Sequence, residues 1–164
     1  MAPSTTSDGA NGTNGNSTHT IPLIINGKSA ITDTTFSVNS PASSKHLWDC
    51  SSASKEDALG AAGAAQAAFP AWAKTKPAAR RGIFIKAADI LDRRSEELAG
   101  YMKEETGSTD AFAGFIIGLA TECLRDVAGR IATVVGEVPI CGDEGTSAIV
   151  YKEPYGVVFA MAPW

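Results

Sequence analysis

The sequence predicts an α/β fold whose parallel sheet is begun and not continued, and three observations carry that prediction. Residues 157–162 are an apolar run without polar alternation, the pattern of a strand covered on both faces. Such a strand normally belongs to a parallel sheet, whose next strand comes after a crossover of a dozen or more residues; nothing follows Trp164 here. Upstream, apolar residues recur at helical spacing over several long segments, and an Asn-Gly pair sits between two short strand-like runs. The expected order is a hairpin, a helical layer, two further strand-like stretches and the first strand of a parallel sheet.

Residues 1–19 are dominated by Ser, Thr, Asn and Gly. They cannot bury enough surface to offset ordering entropy, so a disordered tail is expected there. Structure begins at Ile21. The run Ile21-Pro22-Leu23-Ile24-Ile25, followed by Asn26-Gly27 and then Lys28-Ser29-Ala30-Ile31, predicts a hairpin closed by a type I′ turn. Further strands are expected over residues 35–38 and 47–51, with Asn39-Ser40-Pro41 as a turn between them.

Ser54 is placed to cap a helix, with Glu56 and Asp57 in its first turn. That helix runs to about Phe69 and is expected to stop at Pro70. Pro77 opens the next one, in which Ile83, Ala87, Ile90 and Leu91 mark one buried face. A third segment from Ser95 to Thr106 buries Leu98, Tyr101 and Met102 and stops at Gly107. The longest helix carries Phe112, Phe115, Ile116, Leu119, Cys123, Val127, Ile131 and Val134 at steady helical spacing, with Asp126 and Arg130 as an i,i+4 pair. After Gly136 two strand-like stretches, residues 138–141 and 147–151, flank a Gly142-Asp143-Glu144-Gly145 turn.

At 164 residues, 44% hydrophobic and 20% charged, the chain is ordinary for a globular domain. A net charge of −4 gives no footprint for nucleic acid or an anionic membrane surface. No apolar run reaches the ~20 residues that span a bilayer. The N-terminus shows neither an apolar signal core nor an Arg-rich presequence, so a cytoplasmic location is expected, and the Asn11 and Asn16 acceptor triplets are read as idle.

Cys50, Cys123 and Cys141 are far apart, without a C-x-x-C and with only His19 and His46 as histidines. Neither a metal site nor a disulfide framework is expected. None of the three has a basic neighbour to lower its thiol pKa, so none is assigned as a nucleophile. Glu96-Glu97 and Glu104-Glu105 read as solvated helix faces, not acid–base pairs. Gly107-Ser108-Thr109 and residues 142–146 lack the strand-then-helix context of a phosphate loop and read as turns. The Pro163-Trp164 end differs, because ligands of open α/β sheets bind beyond the carboxyl ends of parallel strands. Small Ala160 and Ala162 admit a flat ligand, with Trp164 beside it.

The closing residues Pro154-Tyr155-Gly156-Val157-Val158-Phe159-Ala160-Met161-Ala162-Pro163-Trp164 resemble the aldehyde dehydrogenase superfamily's Pro-x-Gly-Val, four variable residues and Pro-Trp-Asn, up to but excluding the Asn. Asn26-Gly27 is similar to its N-terminal hairpin, and Asn39-Ser40-Pro41-Ala42 to its Asn-Pro-Ala segment with one residue inserted. Ala67-Ala68-Phe69 with Trp72, the run from Arg80 to Leu91, Glu96-Glu97-Leu98 and Glu104-Glu105-Thr106-Gly107 are similar to its helices. Leu124-Arg125-Asp126-Val127-Ala128-Gly129-Arg130 and Glu144-Gly145-Thr146-Ser147 resemble the branch acting on aromatic aldehydes such as salicylaldehyde or vanillin.

The resemblance implies oxidation of an aldehyde to a carboxylate with NAD or NADP. A cysteine thiolate forms a thiohemiacetal and then a thioester, a glutamate activates water, and an asparagine holds the oxyanion. By resemblance Met161, Ala162, Pro163 and Trp164 line the cofactor site. The catalytic Cys, Glu and Asn fall later in the family pattern, so no catalytic residue is assigned. The implied organisation is a tail (1–19), the N-terminal part of a cofactor-binding domain (20–137), oligomerisation-arm strands (138–154) and the first Rossmann-like strand (155–164). Two readings follow. One is an N-terminal fragment of a homo-oligomeric (dimeric or tetrameric) aldehyde dehydrogenase, cut by the gene model or a premature stop, inactive and poorly soluble alone. The other is a non-catalytic interaction protein pairing with full-length subunits.

Overall fold

A computed structural model describes residues 19–162. The tail expected over residues 1–19 therefore lies almost wholly outside the described residues, as do Pro163 and Trp164. The elements are β1 (Thr20–Ile21), β2 (Leu23–Ile25), β3 (Lys28–Ala30), β4 (Thr35–Asn39), β5 (His46–Ser51), α1 (Lys55–Ala73), α2 (Pro77–Arg93), α3 (Ser95–Thr106) and α4 (Asp110–Arg130), with a 3-10 turn at Ile131–Thr133.

The hairpin forms as expected, with Leu23 opposite Ala30 and Ile25 opposite Lys28. Its turn puts Asn26 at φ 52° and Gly27 at φ 71°, the two left-handed residues of a type I′ turn. The single strand expected over residues 21–25 is divided, however. Thr20 and Ile21 pair in parallel with Asp49 and Cys50 of β5, and only from Leu23 does the chain join the hairpin. Pro22 separates the two pairings because it has no N–H to extend a ladder. β4 lies antiparallel to β5 on the other side, giving a sheet of order β1-β5-β4 with a register shift at Val38/Asn39.

Ser54 caps α1 with a full capping box. Its hydroxyl accepts from the Asp57 amide at 3.1 Å, and the Asp57 carboxylate accepts from the Ser54 amide at 2.9 Å. α1 does not stop at Pro70 but continues to Ala73. So near the C-terminal end, proline removes only one N–H, and the residues after it still find upstream carbonyls. Pro77 occupies the first turn of α2, and Gly107 ends α3 in a left-handed cap at φ 69°. Thr109 caps α4 by accepting from the Phe112 amide at 3.3 Å.

α2 and α3 both pack on α4. The buried face of α4 is not the stripe that its largest apolar residues mark. Ala113, Thr121 and Ala128 are buried, with Ile117 and Leu124 half-buried between them. Phe112, Phe115, Leu119, Cys123 and Val127 are exposed on the other side, Phe115 to 62%. The spacing was helical, but α4 is apolar on two faces, and the face buried in the helical layer is the one with small residues, which let backbones approach. Ala88 of α2 is fully buried, whereas Ile83, expected on the buried face, is 52% exposed. Tyr101 of α3, also expected to be buried, is 46% exposed.

Arg125 ties the two helices at the surface, reaching Asp92 and, at 3.4 Å, Asp89 of α2. Its other nitrogen stands 3.6 Å from Glu122. The expected Asp126–Arg130 pair forms at 2.8 Å.

Beyond Thr133 the expected strands are largely unformed. The arm is held by one antiparallel bridge, Glu137 to Val150, whose two amide bonds are 3.0 and 2.8 Å. Lys152 adds a 3.0 Å ion pair to Glu137. Gly136 makes the bridge possible, since a Cβ there would stand 2.5 Å from the Val150 carbonyl oxygen. Residues 157–162, expected as a buried strand, carry no strand and are exposed. A strand of this type is stabilised by neighbours on both edges and both faces, and no described residue pairs with it.

Candidate functional site

The end expected to line a cofactor site begins after the bend at Gly156, which has φ 93°. Met161 is 82% exposed and Phe159 is 87% exposed. Ala162 is exposed as well, and Pro163 and Trp164 lie outside the described residues. No wall surrounds Met161 that could hold a nicotinamide dinucleotide. The described residues at this end therefore do not make a cofactor site by themselves.

The three cysteines are dispersed: Cys50 half-buried on β5, Cys123 exposed on α4 and Cys141 half-buried in the arm. Burial pushes the Cys50 thiol up, and the Glu105 and Asp49 carboxylates push it the same way. That is the opposite of activation. Among the described residues no cluster of His, Cys, Asp and Glu could hold a metal ion. The Glu97 carboxylate is spent on Arg94 at 2.7 Å, and this pairing holds it below its usual range. Gly107 ends a helix and Gly142–Gly145 lies in a turn, where Thr146 donates to the Asp143 carbonyl at 3.2 Å. Neither forms a phosphate cradle.

Two groupings were not anticipated. On the β4–β5 face, Ser37 donates to an Asp49 carboxylate oxygen at 2.7 Å, and the His46 Nε2 stands 3.0 Å from the same oxygen. The carboxylate sits between serine and imidazole, whereas a relay that activates serine needs the imidazole between them. The trio is a strand-surface brace. The second is a cavity of about 330 Å³ between the sheet and α3, lined by His19, Ile21, Trp48, Cys50, Tyr101 and Glu105. Period-two alternation along β5 and the i,i+4 spacing of Tyr101 and Glu105 were visible signals for it. Their meeting depends on how α3 lies on the sheet, which no local pattern encodes.

The fold, its closing Pro-x-Gly-Val pattern and the helical layer have a counterpart among known proteins. Residues 28–164 match the model of the aldehyde dehydrogenase family. A vanillin dehydrogenase of a Pseudomonas species is 39% identical over 146 residues, covering 88% of this chain and 30% of the relative. The solved salicylaldehyde dehydrogenase of Pseudomonas putida, complexed with salicylaldehyde, superposes with a TM-score of 0.77 at 26% identity, covering 82% of this chain and 28% of that one. An NAD-dependent benzaldehyde dehydrogenase of Corynebacterium glutamicum superposes with a TM-score of 0.72 at 28% identity, covering 78% and 28%.

These matches define the class as an aldehyde dehydrogenase-type α/β fold, represented by its N-terminal part. The chain belongs to the aldehyde dehydrogenase family. It spans about 30% of the length of the vanillin dehydrogenase it matches.

Proposed function

We propose that this chain corresponds to the N-terminal third of an enzyme that oxidises aromatic aldehydes to carboxylates with NAD or NADP, and that it is inactive alone. The observation supporting the substrate class is its 39% identity to a protein named vanillin dehydrogenase. Support for inactivity comes from Cys50, whose thiol is pushed up by burial and neighbouring carboxylates, and from the exposed end at Met161. In this reading residues 20–137 belong to the cofactor-binding domain and 138–154 to an oligomerisation arm. Residues 155–164 are the first strand of the parallel sheet, with Met161, Ala162, Pro163 and Trp164 facing the cofactor once that strand is paired. The intact enzyme is a cytoplasmic homo-oligomer.

Two measurements test the proposal. Purified chain incubated with vanillin or salicylaldehyde and either nicotinamide cofactor is expected to show no turnover above a no-protein control. A chimera carrying residues 28–162 in place of the matching part of the Pseudomonas vanillin dehydrogenase is expected to oxidise vanillin. A chimera that melts cooperatively and oxidises aliphatic aldehydes but not vanillin would overturn the aromatic assignment. The exposed stripe of α4 and the open edges of the arm favour a second reading, a non-catalytic protein that pairs with full-length subunits. Recovery of mixed oligomers after co-expression with the vanillin dehydrogenase would support it.

A further inference from the structure

We propose that the cavity between the β1-β5-β4 sheet and α3 binds an organic ammonium ion, with Trp48 and Tyr101 as the aromatic walls and Glu105 as the counter-charge. The sequence assembles this place from three separate segments. The parallel register sets Ile21 beside Cys50, and strand alternation puts Trp48 on the same face as Cys50. Tyr101 and Glu105, four residues apart on α3, share one helix face. The fold brings all of them around one space of about 330 Å³, near the lower end of the range for small-molecule sites.

The Trp48 and Tyr101 ring centroids lie 6.0 Å apart with an interplanar angle of 83°. In this edge-to-face contact one ring turns its edge to the other's face, and both rings line the cavity. Aromatic ring faces carry the negative part of the quadrupole that attracts cations. No Lys or Arg lines the cavity, whereas Glu105 does. The field of Glu105 and Asp49 reaches the Cys50 thiol, disfavouring its anion alongside burial. A space that opposes a thiolate opposes a carboxylate or phosphate ligand for the same reason, and favours a cation with an apolar shell. Alkylated ammonium groups meet that description. Their charge is spread over methyl groups, so the mostly apolar lining costs them little desolvation.

The test uses the full chain and two probes of equal shape, choline and its neutral carbon isostere dimethylbutanol, followed by ligand-observed NMR of their methyl signals. Choline is expected to saturate and to bind at least about threefold more tightly than dimethylbutanol, the low end of an exposed cation–π contact. Glu105→Gln is expected to lower choline affinity and leave dimethylbutanol unchanged. Trp48→Leu is expected to erase the preference. A melting curve checks each variant, and if Trp48→Leu does not fold, Tyr101→Leu replaces it at a half-exposed position. Equal or weaker binding of choline than of dimethylbutanol, or a preference untouched by Glu105→Gln, overturns the proposal. So does failure of choline to saturate.

Discussion

In the helical layer, Ala88 of α2 and Ala113 and Ala128 of α4 are shut off from solvent, while in residues 136–162 the side chains of Val138, Ile140, Tyr151, Tyr155 and Phe159 stand in water. Both regions are rich in apolar residues, so hydrophobicity does not distinguish them. The helices satisfy their own backbone groups and need only one apolar face covered. The arm and closing segment are strand-type sequences, whose amides and carbonyls need a neighbouring chain segment. The single bridge from Glu137 to Val150 is what this chain supplies. A family fold read through 30% of a relative's length thus divides into a part that packs locally and a part that the described residues leave mostly unpaired.

Enlarging a buried alanine should break the comparison most sharply. Ala113→Leu places extra methyl groups at a fully buried position of α4 in the helical layer, and overpacking of this type costs about 1–3 kcal/mol. The same chain with Ile149→Ser, at a 63% exposed arm position, should stay within about 0.5 kcal/mol of the parent. Urea denaturation followed by helical circular dichroism reads both. Equal losses would mean that the arm is packed as tightly as the helices.

Arg125→Ala is the next step down. It removes the surface tie from α4 to Asp89 and Asp92 of α2. The guanidinium is partly in solvent, so its contribution is modest and screened by salt. A lower melting midpoint is expected at low ionic strength, with a smaller drop than for Ala113→Leu. The difference should shrink in high salt. A salt-independent drop would point to lost packing of the arginine stem instead of lost charge.

What could be read in the sequence follows the same division. The Asn26-Gly27 turn, the Ser54 cap, Pro77 and Gly107 were legible because each is a local rule acting within a few residues. The helical face of α4 was legible in period and not in direction. The largest side chains drew attention to Phe115 and Leu119, yet Ala113 and Ala128 are the buried ones, since close helix approach selects small residues. Residues 157–162 were expected as a buried strand and form none, because pairing is a property of two segments. The grouping of Trp48, Tyr101 and Glu105 was hidden because it joins a strand and a helix about fifty residues apart in sequence.

Acidification probes a smaller, strictly local contribution. Hydrogen bonds from the Ser54 side chain and then its backbone hold the Asp57 carboxyl below its ordinary value of 3.8. A depressed carboxyl contributes stability above its unfolded pKa and loses it as pH falls through the folded value. The start of α1 should therefore loosen below about pH 4, seen as faster exchange of the Asp57 amide. Ser54→Ala should shrink that pH step, leaving the share that the backbone amide of residue 54 supplies.

The smallest expected effect on global stability, and the most informative about the arm, comes from Gly136→Ala. Its new Cβ would collide with the Val150 carbonyl, so the bridge must open, taking with it the amide bonds of Glu137 and Val150. Both residues lie outside the helices, so the unfolding midpoint should hold within about 0.5 kcal/mol. Hydrogen exchange should then speed up at the Glu137 and Val150 amides alone. If protection were lost across α4 as well, the arm would be a structural support for the helical layer. If neither amide were protected in the parent chain, the arm would already be open, and its ordering would depend entirely on strands supplied from outside residues 136–162.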